Sequence, residues 1–171
     1  IEKHIRRYLN GRDLTGLPRG KYVIDLFGLD EVEVRASFPE VYQHILRSVK
    51  PEREKNNRET YRNYWWIFGE PRKDMRPAMS DISKYIGTVD TAKHRIFSFI
   101  EPDAIVDDGV VVTASDEPFH LGVLSSQIHL HWTTANAGSM GMYIGKVRYF
   151  KSRCFDPFPF PDCDDSTKAR I

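Results

Sequence analysis

The sequence predicts an α+β fold in which helices mix with short, mostly antiparallel strands in a single domain. Apolar residues recur at three- and four-residue steps over 30–50, as they do on one face of a helix. Short β-branched or aromatic runs bounded by turn residues follow at 84–89, 94–100 and 110–114. The length of 171 residues fits one domain with enough chain to bury a core.

The first elements are predicted to be a turn and a strand. Asn10-Gly11 is typical of a tight turn, which would project Arg12 and Asp13. A salt bridge that holds this turn is the alternative to a binding role for those two charges. The apolar run at 22–27 is typical of a β-strand.

Pro39 divides the helical stretch, because proline is favoured in the first turn of a helix. We therefore expect a short helix, a break, and a second helix over 39–49. This second helix leads into residues 49–77, which we call the basic–aromatic segment. Its cations Arg53, Lys55, Arg58 and Arg62 recur at near-helical intervals, so they could share one face.

The same segment carries a block of aromatic residues, which are Tyr61, Tyr64, Trp65, Trp66 and Phe68. Cations interleaved with flat rings suit a polyanion that also carries stackable bases. The alternative is a solvated charged helix that runs into an aromatic cluster of the core. One of the two tryptophans is expected in the core, since tryptophan is highly buried on average.

The second half of the chain is predicted to carry strands, a helix and two unusual loops. Thr91-Ala-Lys-His-Arg95 is a polar, basic connection, and loops on rigid scaffolds often carry recognition residues. Residues 119–134 fit a helix better than a strand. His120, His129 and His131 lack metal-ligand spacing, so they are interpreted as packed or surface histidines.

Glycine and proline dominate the last part of the sequence. The glycines at 138, 141 and 145 do not form a dinucleotide-binding motif, so a nucleotide-phosphate site is not predicted. The alternating Pro and Phe of 157–161 exclude a helix and favour an extended strap. We expect a domain over 1–161 and a frayed tail over 162–171.

The composition limits the function classes. Residues 50–95 contain eleven Lys/Arg against seven Asp/Glu, although the net charge of the whole chain is only +1. The two cysteines, Cys154 and Cys163, form no CxxC pair, which fits a cytoplasmic protein without a disulfide framework or structural zinc. No apolar run approaches the roughly 20 residues of a membrane span. The chain begins at Ile1 without an initiator Met or signal peptide, as an excised domain would.

Motifs for catalysis are missing from the sequence. There is no Asx/Ser-Pro-Pro-aromatic loop of the kind that holds a flipped base, and Asp156-Pro157-Phe158 is only a near miss. No lysine has an acidic residue two positions before it, as the common metal-dependent nuclease core requires. A nucleophile elbow and a Walker loop are also missing. Catalysis within this chain is therefore not expected.

Seven stretches, in order along nearly the whole chain, resemble the target-recognition domain of MmeI-like (type IIL) restriction–modification enzymes. They are Tyr8-Leu-Asn-Gly-Arg-Asp-Leu14, Val41-Tyr-Gln-His-Ile-Leu46, Val49-Lys-Pro-Glu-Arg53, Tyr64-Trp-Trp-Ile-Phe-Gly-Glu-Pro-Arg72, Thr91-Ala-Lys-His-Arg95, Leu121-Gly-Val-Leu-Ser-Ser126 and 148–161. The opening Tyr-Leu-x-Gly-Arg-Asp run is also similar to other specificity domains of DNA adenine methyltransferases.

The resemblance implies a module that recognises a short asymmetric site in double-stranded DNA. It also implies a parent polypeptide with an S-adenosylmethionine-dependent N6-adenine methyltransferase domain and a linked Mg²⁺-dependent endonuclease, both outside this chain. This chain itself would bind no cofactor or metal. Its partners would be double-stranded DNA and the methyltransferase domain of the same polypeptide, with no membrane involved. A small complete DNA-acting enzyme and a protein-interaction domain are the alternatives.

Two sets of candidate site residues follow from the charges and from the resemblance. The candidates for phosphate contacts are Arg12, Lys50, Arg53, Lys55, Arg58, Arg62, Arg72, Lys151 and Arg153. The loop before the Arg-Tyr-x-x-Ser-like run carries base-contacting side chains in the resembled family, which points here to Ile144 and Lys146. The full set of base-contacting candidates is Lys93, His94, Arg95, Tyr143, Ile144, Lys146 and Arg148.

Overall fold

A computed structural model describes residues 1–137, 145–168 and 170. The strands are β1 (Ile5–Leu9), β2 (Lys21–Ile24), β3 (Tyr85–Val89), β4 (Thr91–Ala92), β5 (Phe97–Ile100), β6 (Ile105–Val106), β7 (Val110–Thr113) and β8 (Val147–Arg148). The α-helices are α1 (Gly11–Thr15), α2 (Glu31–Ser37), α3 (Pro39–Ser48), α4 (Lys50–Arg53), α5 (Glu59–Asn63), α6 (Met75–Ala78), α7 (Pro118–Ser125), α8 (Gln127–Asn136) and α9 (Asp165–Lys168).

The predicted α+β class with short, mostly antiparallel strands is confirmed. The strand pairs β3–β5, β3–β7 and β4–β8 are antiparallel, whereas β1 pairs with β6 in parallel through Tyr8 and Leu9. The chain divides into two compact units, of which the first comprises residues 1–6 and 22–74 and the second residues 7–21 and 75–171. The boundary between a domain at 1–161 and a tail remains a prediction.

The first unit is a small helical core. Its buried residues are Leu26, Val34, Tyr42, Ile45 and Trp65. The helix α3 begins at Pro39 directly after α2 ends at Ser37, which confirms the predicted break and restart. Trp65 is buried, and Trp66 donates from its indole N–H to the Leu29 carbonyl at 2.9 Å, so the prediction of a core tryptophan is also confirmed.

The second unit is built around a three-stranded antiparallel sheet in the order β5-β3-β7. The strand β3 lies at its centre, and the side chains of Tyr85 and Ile86 are almost fully buried. At Gly87 the Ile100 side chain occupies the space that a Cβ atom would need. A larger residue at position 87 would therefore have to displace the Ile100 side chain.

The helices α7 and α8 pack beside this sheet around a buried histidine. The His129 side chain is fully buried, and its Nδ1–H donates to the Leu124 carbonyl at 2.7 Å. Its Nε2 accepts from the Tyr149 hydroxyl at 3.2 Å. Burial lowers the pKa of His129, because a charged imidazolium would lose its solvation there. This agrees with the interpretation of His129 as a packed histidine.

Asp13 anchors the start of the second unit. Its carboxylate accepts from the Asn10 backbone N–H at 2.8 Å and, with the Asn10 side chain, caps α1. It also pairs with the Arg19 guanidinium at 2.7 Å. The Arg19 side-chain hydrogen bonds hold the pKa of Asp13 well below its usual range. The predicted local salt bridge exists, but its cation is Arg19 and not Arg12.

Two helix predictions are wrong in part. The cations of 53–62 do not share one helix, because Asn56 forms a turn between α4 and α5 in which its Oδ1 accepts from the Arg58 backbone N–H at 2.9 Å. The single helix expected over 119–134 is interrupted at Ser126, whose hydroxyl accepts from the His129 backbone N–H at 3.2 Å and caps α8.

The prolines of 157–161 exclude a helix there, as predicted, and no secondary structure is predicted for the residues just before them. Lys151–Phe155 form a single π-helical turn, which the proline pattern did not predict. Residues 156–161 contain no regular helix or strand, as expected from their prolines. The four-residue helix α9 lies in the region expected to fray, and the Asp164 side chain caps its first turn by accepting from the Thr167 backbone N–H at 2.8 Å.

Candidate nucleic-acid interface

The connection between β3 and β5 is a loop over residues 90–96, which we call the hairpin loop. Within it, the short strand β4 pairs with β8, so that Thr91 lies opposite Arg148 and Ala92 opposite Val147. The Tyr149 backbone N–H also donates to the Asp90 carbonyl at 2.6 Å. Two segments that the sequence predicts as base-contacting, 91–95 and 146–148, therefore lie side by side.

Lys93, His94 and Ile96 are the exposed positions of the hairpin loop, and its two exposed polar residues are Lys93 and His94. Both follow β4 directly, and their side chains project from a loop whose two ends are fixed by β3 and β5. Lys146 is likewise exposed, immediately before β8. The structure thus brings together two cations and a histidine on the surface of one unit.

Arg95 lies beneath the hairpin loop instead of projecting from it. Its guanidinium donates to the Val147 carbonyl at 2.7 Å, to the Asp90 carbonyl at 3.3 Å and to the Val89 carbonyl. Its carbon Cζ lies 5.1 Å from the centre of the Tyr149 ring. Burial lowers the pKa of Arg95 from its ordinary value. These hydrogen bonds hold the Arg95 guanidinium against the backbone of its own chain.

Arg148 lies on β8 with its side chain partly exposed. Its Nε is 3.5 Å from the Asp90 carboxylate, and its guanidinium lies 4.9 Å from the centre of the Phe150 ring. The remaining base-contacting candidates, Tyr143 and Ile144, lie outside the described residues.

In the first unit, two arginines lie against one tyrosine, and we call this group the arginine–tyrosine stack. The guanidinium carbons of Arg53 and Arg58 lie 4.9 Å and 5.3 Å from the centre of the Tyr61 ring. Gly69 completes it, because a Cβ atom at this position would collide with the Tyr61 ring. Stacked arginines keep several N–H groups available for an anion.

Glu70 is bound to this stack. Its carboxylate oxygen accepts from the Arg58 guanidinium at 2.8 Å and from the Tyr61 hydroxyl at 3.1 Å. The Arg58 and Glu70 side chains are both mostly exposed, at 66% and 64%. An anion from solution can therefore reach the same N–H groups that Glu70 occupies.

The other phosphate candidates of the first unit have more varied surroundings. Arg62 donates to the Asn56 carbonyl at 2.6 Å, which holds the turn between α4 and α5. Lys50 lies 5.1 Å from the centre of the Trp65 ring and 4.0 Å from the Glu54 carboxylate. Lys55 is exposed. Arg72 is exposed and has a backbone φ of 54°, in the left-handed region.

Three phosphate candidates belong to the second unit. Arg12 is exposed on α1. Lys151 pairs with the Asp156 carboxylate at 2.8 Å. Arg153 is exposed, with its guanidinium 5.6 Å from the centre of the Phe150 ring. Phe150 thus contacts both Arg148 and Arg153.

Sequence reasoning missed the residues that hold these cations in place. Glu70 stands among the cations of the basic–aromatic segment, and an acidic residue surrounded by nearby arginines is a signal for a local ion pair. Asp90 and Tyr149 carry no such signal. Only the pairing of β4 with β8 brings Asp90 to Arg148 and Tyr149 to Arg95. No sequence spacing predicts such a contact over more than fifty residues.

The described residues contain no group of three or more His, Cys, Asp or Glu side chains arranged to hold a metal ion. Across the same part of the chain, no helix is both long enough and apolar enough to span a membrane.

The fold and these loops define an α+β domain that presents stacked arginines on one unit and a cationic hairpin loop on the other. Its sequence matches the family described as the MmeI target recognition domain over residues 2–162, and the chain belongs to that family. A solved structure of the type IIL restriction–modification enzyme MmeI in complex with DNA has a similar fold, with a TM-score of 0.68 and 20% sequence identity. The similarity covers 98% of this chain and 22% of that enzyme's chain. No protein with curated annotation matches significantly.

Proposed function

We propose that this chain is the module of a type IIL restriction–modification enzyme that recognises a specific sequence in double-stranded DNA. The observation that carries the proposal is the pairing of β4 with β8 in a member of the MmeI target recognition family. This pairing places the exposed Lys93 and His94 beside Lys146. Lysine donates to guanine O6 and N7 in the major groove, which gives such a cluster the chemistry of base recognition.

The surroundings of the two candidate sets suit one set to phosphate contacts and the other to base contacts. Arg53 and Arg58 lie against Tyr61, with Arg58 exposed and Arg53 partly exposed, which suits contacts with phosphates that fix position without specifying sequence. Lys93, His94 and Lys146 extend from a loop and strand that are joined to the central sheet, which suits base contacts because these need a fixed geometry. Lys50, Lys55, Arg62 and Arg72 would add to the phosphate contacts of the first unit.

The activities of the whole polypeptide belong to the proposal as well. The recognition module would position an S-adenosylmethionine-dependent N6-adenine methyltransferase domain, and a linked Mg²⁺-dependent endonuclease, elsewhere in the same cytoplasmic polypeptide. S-adenosylmethionine and Mg²⁺ would both be bound outside this chain. The residues described here would supply DNA binding and orientation.

Paired substitutions in the full polypeptide test the proposal. Lys146→Ala should change which base is preferred at one position of the methylated site. Arg58→Ala should weaken binding to all duplexes alike and make log Kd depend less steeply on log salt concentration, by about 0.9 for each phosphate that is no longer neutralised. Lys21→Ala serves as the control, since it removes an exposed lysine that belongs to neither set. If the methylation specificity of Lys146→Ala were unchanged, the assignment of this loop would be wrong.

Two other functions would give different results in simple assays. An isolated chain that binds S-adenosylmethionine would be an enzyme in its own right. Association with a protein partner that is insensitive to salt, together with no retardation of duplex DNA, would identify a protein-interaction domain.

A further inference from the structure

Arg95 joins three segments of the second unit through one guanidinium. One terminal nitrogen donates to the Val89 carbonyl at the end of β3 and lies 3.3 Å from the Thr88 hydroxyl. The other donates to the Asp90 carbonyl in the hairpin loop and, at 2.7 Å, to the Val147 carbonyl in β8. The Thr88 hydroxyl in turn donates to the Ile96 carbonyl at 2.7 Å, which closes the base of the loop.

The groups that accept hydrogen bonds from this cation are neutral. They are backbone carbonyls and a hydroxyl, and within the described residues the buried Nε of Arg95 finds no hydrogen-bond partner. Burying a cation costs free energy unless the surroundings compensate for its lost hydration. The Tyr149 ring compensates in part through a cation–π contact at 5.1 Å. An apolar side chain could pack at this position at a lower cost in free energy. Stability of the fold therefore does not explain why an arginine is found here.

The carbonyls that Arg95 holds belong to the candidate base-contacting segments or directly adjoin them. Val147 lies between Lys146 and Arg148, so the bond to its carbonyl fixes the backbone on both sides. Lys93 and His94 directly precede Arg95 and are exposed. A planar guanidinium with several fixed donors determines the distance between the two segments better than a strand pair of two residues can.

We propose that Arg95 is a positioning residue for sequence recognition, which fixes the hairpin loop against β8 so that Lys93, His94 and Lys146 meet the base edges with a set spacing. Arg95 would contact no DNA itself. This inference rests on the proposed DNA-recognition function. It replaces the sequence-based expectation that Arg95 is one of the base-contacting side chains.

The test measures specificity separately from affinity in the full polypeptide. Sequencing the fraction bound from a randomised duplex pool gives the preferred site, and Kd is then measured for that duplex and for a scrambled one at fixed salt. Arg95→Lys keeps the charge but provides a single ammonium in place of the planar fork. It should reduce the ratio of the two Kd values about tenfold, which is the discrimination of one base contact, and should leave Kd for the scrambled duplex within about twofold. Arg95→Met, which removes the charge, should reduce the ratio further.

Hydrogen exchange shows whether the effect arises in the loop. In Arg95→Lys the amides of 89–92 and 147–149 should exchange faster, while those of β5 and β7 should be unchanged. Lys73→Met is the matched control for Arg95→Met, because it removes an exposed cation that also lies near an aromatic ring, 5.9 Å from the centre of the Tyr64 ring, and that belongs to neither candidate set. Its ratio should equal that of the wild type. Arg95→Lys decides the question if Arg95→Met does not fold.

Three results would overturn the inference. An unchanged ratio in Arg95→Lys would mean that the guanidinium geometry does not serve recognition. An equal loss of affinity for both duplexes would mean that Arg95 contacts a phosphate or only maintains the fold. A change of preference confined to one base, with selectivity kept elsewhere, would make Arg95 a direct base contact. A wild-type protein with no preferred duplex would instead contradict the proposed function.

Discussion

The Arg58 guanidinium and the Glu70 carboxylate form an ion pair at 2.8 Å on the open surface of the first unit. Exposed pairs of this kind typically contribute less than about 1 kcal/mol to stability, because both partners are well hydrated when apart. The Tyr61 hydroxyl donates to the same carboxylate oxygen at 3.1 Å. Glu70 therefore occupies the donors that a phosphate would use, and a phosphate can displace it at little cost.

Glu70→Gln should strengthen binding to DNA of any sequence. The amide oxygen can still accept from Tyr61, so the stack keeps its form, but the negative charge that competes with phosphate is removed. We expect Kd for a scrambled duplex to fall several-fold and log Kd to depend more steeply on log salt concentration, by up to about 0.9. Fluorescence anisotropy over a salt series measures both quantities.

Glu40→Gln is the control for this change, since it removes an exposed carboxylate of the same unit that has no contact with the stack. A gain in affinity of the same size in Glu40→Gln would show that only net charge matters. An unchanged salt dependence in Glu70→Gln would mean that Arg58 does not contact phosphate.

The carboxylate of Asp13 should make the chain less stable in acid. Its pKa is depressed in the folded state by the Arg19 side chain and by the Asn10 backbone, whereas the pKa of an unfolded Asp is about 3.9. The stabilisation is thus fully present above about pH 4 and is lost as pH falls toward the folded pKa. Over this interval the unfolded chain binds about one more proton than the folded chain at this position.

Denaturant titrations between pH 5 and pH 2 measure this decline. Asp13→Asn should be less stable at pH 7, because the charged partner of Arg19 is gone, and its stability should decline less with acid. Asp81→Asn, an exposed carboxylate outside the described ion pairs, should keep the wild-type slope. If Asp13→Asn had the wild-type slope as well, other carboxylates would account for acid unfolding.

Local signals in the sequence predicted much of the fold, and tertiary contacts account for what they did not predict. Pro39 restricts its own backbone, so the break between α2 and α3 is visible in the sequence alone. The Asn56 turn depends on a side chain that bonds to a nearby backbone N–H, and a periodic charge pattern does not reveal it. The sequence shows that Arg95 is charged but not where its side chain points. That direction depends on the pairing of β4 with a strand more than fifty residues away.

The buried His129 should give a second, separate pH dependence near neutrality. Its folded pKa is lowered by burial, whereas the pKa of an unfolded histidine is about 6.5. Below about pH 6.5 the unfolded chain binds a proton that the folded chain does not, so the free energy of unfolding should fall as pH drops toward the folded pKa. Above that pH the contribution should be constant.

Unfolding curves between pH 7.5 and pH 5 test this expectation. His129→Gln should be less stable at pH 7.5 and should lose the slope, since its amide does not titrate. His44→Gln removes an exposed histidine of α3, and this variant should keep the slope of the wild type. A retained slope in His129→Gln would assign the titration to another group.

Gly87 and Ile100 should be coupled across the pair of β3 and β5. A Cβ atom at position 87 would collide with Cδ1 of Ile100, so Gly87→Ala should destabilise the chain by about 1–3 kcal/mol through overpacking. Ile100→Val removes that Cδ1 atom and alone should cost about 0.5–1.5 kcal/mol. The double variant should lose less stability than the sum of the two, because alanine then fills the space that valine leaves. A double-mutant cycle by urea unfolding measures this difference, and strictly additive losses would show that the close approach of these two residues is relieved by backbone movement.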